Sequence, residues 1–182
     1  MQYLGIGCRV AAGVVFLLAV TGKVVGTGAF TEFVHSMRDM RAVPPPLVEL
    51  AARVTVLAEA TTVLLLAIPL KIAAVVGFAA AIVLTTAFSG AIARTVRSGN
   101  RASCRCFGRS STPLGIRHLV RNGVLLVVSA VGLAASLAGG SAGLAGALVA
   151  VLAGVFVGLI VAAFDDLALL LAPAAPAGRT SR

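Results

Sequence analysis

The chain has 182 residues, 59% of them hydrophobic and 12% charged, with a formal net charge of +9. Soluble domains carry about 45–50% apolar and about 25% charged residues, so a mean hydropathy of +1.07 excludes a water-facing globule and requires lipid as solvent. Nucleic-acid binding is not expected either, because the basic residues flank apolar runs without interleaved aromatics.

In chain order, the first apolar run begins after Arg9 and predicts a membrane span over about 9–27. A removable signal peptide is not expected. The basic n-region is Arg9 alone, and Lys23-Val24-Val25 is no small-residue cleavage site. Pro44-Pro45-Pro46 suits the start of a helix, where the missing N–H groups cost little, and predicts a second span over about 47–69. Pro69 makes the next turn tight, and residues 72–93 carry no Asp, Glu, Lys or Arg, which predicts a third span over about 72–94. Residues 122–164 are uncharged for twice the necessary length. Gly139-Gly140-Ser141-Ala142-Gly143 divides them into spans over about 119–138 and 143–164. In the last of these, Gly154 and Gly158 form a small-xxx-small pair suited to close helix packing. The expected fold is an all-α integral membrane bundle. Residues 1–138 form a four-helix domain, 139–172 supply an additional transmembrane helix, and 173–182 form a flexible tail.

Orientation follows from the Lys and Arg of the short loops. The 94–118 loop holds Arg94, Arg97, Arg101, Arg105, Arg109 and Arg117, with Arg121 immediately after, and the 28–46 loop holds Arg38 and Arg41. The other side offers Arg9, Lys71 and an uncharged turn. A multi-pass protein of the cell membrane is expected, its N-terminus outside and its 94–118 loop in the cytoplasm.

Lys23, Arg53 and Glu59 fall within predicted spans. Each is costly in hydrocarbon and calls for a packing or functional reason. Lys23 and Arg53 lie near span ends, where long stems can reach the headgroups. Glu59 is twelve residues past Leu47, about 18 Å deep at helical rise. It needs a proton or a cation on a facing helix, and Lys23 is the candidate if the first helix tilts or runs past Gly28. Arg53, six residues away on the same helix, faces elsewhere.

Cys104-Arg105-Cys106-Phe107-Gly108 carries the most specific chemistry. A disulfide across one intervening residue closes a small, easily reduced ring, suited to exchange. Arg101, Arg105 and Arg109 favour the attacking thiolate. Metal binding is the weaker alternative, because Cys104, Cys106 and His118 give at most three ligands; no metal and no cofactor is expected. Structurally idle cysteines are the third reading. Cys8, predicted on the other membrane face, reads as a buried inert thiol.

The chain resembles the MauE family of methylamine utilisation proteins, itself similar to the DoxX-like small membrane proteins. The resemblance spans about residues 9–138. It rests on Gly13-Val14-Val15-Phe16-Leu17 followed by Gly22-Lys23, then Phe30 and Phe33, Pro44–Pro46, Glu59, and Cys104-x-Cys106-Phe107-Gly108. It implies a four-helix bundle and a role in maturing methylamine dehydrogenase, whose small subunit carries many disulfides. A thioredoxin-like protein and an amine dehydrogenase subunit are the implied partners, beside membrane lipid. The family role concerns disulfides outside the cytoplasm, whereas the arginine count puts this motif inside, and the fifth span extends beyond the four-helix pattern. The expected function is thus that of a redox accessory protein working by thiol–disulfide exchange through Cys104 and Cys106, without small-molecule catalysis of its own. The rival is a small transporter or channel subunit with a polar pathway along Lys23, Arg53 and Glu59.

Overall fold

The computed structural model describes residues 1–41, 43–98, 116–140 and 143–164. Within them the chain forms six helices: α1 (Gln2–Val24), α2 (Ala29–Asp39), α3 (Val48–Ala67), α4 (Lys71–Arg97), α5 (Ile116–Ala138) and α6 (Leu144–Ala162). All but α2 are long and apolar enough to cross a bilayer. The five predicted spans are present, with two shifts at the first. Helix α1 begins seven residues earlier than expected, because the apolar Tyr3-Leu4-Gly5-Ile6 stretch continues the helix. It also stops earlier, at Val24, because Gly26 and Gly28 adopt φ of 115° and 83°, a left-handed backbone that ends a helix. A 3-10 turn over Pro45–Leu47 opens α3, as the proline run predicts. Only Ile68 to Leu70 separate α3 from α4.

Helices α1, α3, α4 and α5 close a ring in which α1 meets α3 and α5, and α4 meets the same two from the far side. Their shared core includes Val15, Phe16, Leu66, Phe78 and Leu125. Helix α6 lies outside this ring against α1, running parallel to it. Gly154 faces Gly7 and Val10 of α1, and Gly158 faces Ala11 and Val14. A Cβ on Gly158 would come within 2.8 Å of the Ala11 carbonyl oxygen, so only glycine permits this approach.

The 28–46 stretch, expected as a loop, contains the amphipathic α2. Phe33 and Met37 face inward with Met40 and pack on Val48 and Ala52 at the start of α3, while Glu32, His35, Arg38 and Asp39 face outward. Thr95 Oγ1, near the end of α4, donates to the Met40 carbonyl at 3.3 Å. Helix α2 therefore fills the space between the start of α3 and the end of α4, over the end of α1.

Candidate functional site

Lys23 is the penultimate residue of α1 and Glu59 lies eleven residues into α3, about 16 Å along that helix. Despite this mismatch the two meet. Lys23 Nζ stands 2.7 and 2.8 Å from the two Glu59 carboxylate oxygens, and the side chains are 1% and 2% exposed. The first helix neither passes Gly28 nor lifts its lysine to the headgroups. Instead α1 stops short of the level where α3 begins, and the lysine stem folds back along its own helix until Nζ is 3.4 Å from the Ala19 carbonyl. The Phe33 ring of α2 sits 5.1 Å from Nζ and the Phe88 ring of α4 at 5.8 Å, adding cation–π contact where a water shell would otherwise be.

Around the pair lie Thr85, Arg121 and Asn122, which with Phe16, Phe88, Ile92 and Leu125 line a cavity of about 20 Å³, room for about one water. Arg121 is 3% exposed and Asn122 5%; Asn122 Nδ2 donates to Ser89 Oγ at 3.3 Å. His118, one turn before Asn122, is buried as well. In sequence Arg121 immediately follows the basic 94–118 loop and adds to its positive flank. The reason it is inside is visible afterwards: His118, Arg121, Asn122 and Leu125 recur at three- and four-residue intervals and share the inward face of α5.

Arg53 is separate from this cluster. Its side chain is 65% exposed and pairs with Glu49 one turn earlier on α3. The structure thus joins Lys23 to Glu59 and leaves Arg53 exposed, paired with Glu49. Cys8 is buried in the bundle core, as expected. Cys104 and Cys106 lie outside the described residues. In sequence they fall between Arg97, the end of α4, and Ile116, the start of α5, the two helix ends beside the buried cluster.

The model of the family described as methylamine utilisation protein MauE matches residues 1–135. The chain belongs to the MauE family. No curated protein and no solved structure matches it. The MauE match takes in Lys23, Glu59, Arg121 and both loop cysteines, and it ends within α5. Helix α6, with its glycine contact to α1, is therefore an addition beyond the matched MauE segment. Among the described residues no group of three or more His, Cys, Asp or Glu side chains converges as a metal site would.

Proposed function

We propose that this MauE-type membrane protein is a redox accessory that exchanges disulfides through Cys104 and Cys106. The observation that carries this reading is a MauE match that includes the cysteine pair, joined to thiols flanked by Arg101, Arg105 and Arg109. In the reaction, a thiolate of a thioredoxin-like partner attacks the Cys104–Cys106 disulfide. One sulfur leaves as thiolate and a mixed disulfide forms. The partner's second thiolate then resolves it, so the partner is oxidised by two electrons and Cys104 and Cys106 are reduced. The client that the family resemblance implies is the disulfide-rich small subunit of methylamine dehydrogenase, which the dithiol would meet directly only with its loop outside the cytoplasm. The buried Lys23–Glu59 pair holds α1 to α3 beneath the helix ends that carry the loop.

Differential alkylation of membranes with and without reductant should reveal a reversible Cys104–Cys106 disulfide. The C104S/C106S variant should lose exchange while keeping its melting temperature. Cysteines that stay reduced under oxidising growth, together with full function of the double serine variant, would sink the reading.

The loop is assigned to the cytoplasm. Six arginines between positions 94 and 117 would otherwise have to be translocated, and the bias of short loops sets orientation. A membrane-impermeant maleimide should label reduced Cys104 and Cys106 only in opened cells. Labelling in intact cells would reverse the orientation and face the dithiol toward an exported client.

The transporter alternative has less support from the geometry. Lys23 and Glu59 satisfy each other within a space for about one water. Glu59→Gln abolishing a flux that C104S/C106S leaves intact would favour it.

A further inference from the structure

At the opposite end of the bundle, where α1 begins and α3 turns into α4, the charges are arranged quite differently. An open cavity of about 410 Å³ lies between α1, the α3–α4 turn and the end of α5. Arg9 and Lys71 both line it. Arg9 Nε donates to the Leu66 carbonyl at the end of α3, which fixes the guanidinium, and its Nη2 is buried with no hydrogen-bond partner. Lys71 Nζ is tethered at 3.2 Å to the Leu137 carbonyl. Lys71 is also the first residue of α4, whose N-terminus has no side-chain cap and adds partial positive charge. The acids of the described residues are Glu32, Asp39, Glu49 and Glu59, all on α2 or α3 and none lining this cavity. A buried guanidinium N–H without an acceptor is expensive, and two cations facing one space without a carboxylate call for an anion. Gln2 Oε1 is buried there without a partner too, an acceptor that a hydroxyl would satisfy.

We infer that this cavity binds a phosphate group with a hydroxyl beside it, Arg9 and Lys71 taking the phosphate oxygens and Gln2 accepting from the hydroxyl. The site is independent of the dithiol and lies at the other end of the helices. Phosphate at this position can come from a lipid headgroup or from solution, and the same protein distinguishes them. Full-length protein in neutral detergent is loaded with an equimolar mixture of phosphatidylglycerol and phosphatidylcholine and weighed by native mass spectrometry. Wild type should retain phosphatidylglycerol about tenfold over phosphatidylcholine, the scale of one charge-assisted contact. Lys71→Gln and Arg9→Gln should each remove that preference, while Arg38→Gln, at the other end, should leave it in place. Because Lys71 is exposed, its variant carries the test even if Arg9→Gln fails to fold. Displacement of the lipid by millimolar inorganic phosphate would identify a site for soluble phosphate; resistance to it would identify a headgroup site. Equal retention of the two lipids by wild type, or a preference that Lys71→Gln leaves intact or Arg38→Gln abolishes equally, would overturn the inference.

Discussion

Helix α1 is held on two sides by opposite means. Toward α3 it is fixed by a lysine and a glutamate, both nearly inaccessible and bonded at 2.7 and 2.8 Å. Toward α6 it is fixed by the backbone surface of Gly7 and Ala11 against Gly154 and Gly158, with no charged group between them. The first interface tolerates no loss of a partner, since a lone charge in hydrocarbon costs several kcal/mol. The second depends on shape, because lipid tails compete equally well for apolar surface and only close approach favours helix over lipid. The polar contact lies within the MauE match and the glycine contact joins the helix beyond it. The matched core is thus secured by charge, and the helix beyond the match by fit.

The contrast can be broken at its polar side first. Glu59→Ala or Lys23→Met should each destabilise the bundle by about 3–5 kcal/mol, because each leaves its former partner buried and uncompensated. The double variant K23M/E59L should recover most of that loss. Equilibrium unfolding in mixed micelles measures both. Single variants no worse than the double would show that the pair contributes little. On the apolar side, Gly154→Leu should cost about 1–3 kcal/mol through overpacking against Gly7 and should release α6 to protease before the four-helix ring. Simultaneous loss of both would mean that ring and α6 form one cooperative unit. The smallest effect belongs to the exposed pair. Arg53→Ala should change stability by no more than about 0.5 kcal/mol, because Arg53 and Glu49 are 65% and 60% exposed. A larger loss would place that turn of α3 in a less watery setting than its exposure suggests.

The spans were legible because twenty apolar residues in succession have few other uses. The proline start of α3, the tight turn at Pro69 and the glycine break before α6 were legible from backbone chemistry. What escaped was periodicity inside segments already assigned by charge. Phe30, Phe33, Met37 and Met40 recur at helical spacing within the stretch read as a loop, and their apolar face makes α2. Arg121 was counted with the arginines before it, although the face it shares with His118 and Leu125 turns inward. Glu59 was legible as a residue in need of a cation, yet helix lengths alone placed Lys23 at the wrong depth. Only a recessed α1 capped by α2 reconciles the two. The small residues of α6 were read, whereas their counterparts Gly7 and Ala11, also four apart, were not. Cys104 and Cys106 lie outside the described residues, and their chemistry rests on sequence and family.

The helices differ in length. Helix α4 runs for 27 residues and α6 for 19, about 40 Å and about 28 Å at 1.5 Å per residue, against a hydrocarbon layer of about 30 Å. The excess of α4 over α6 is about two turns, a length that tilt or projection into the headgroups accommodates. The C-terminal end of α4 carries Arg94 and Arg97, side chains suited to headgroups or water, and is buttressed through Thr95 by Met40, just beyond α2.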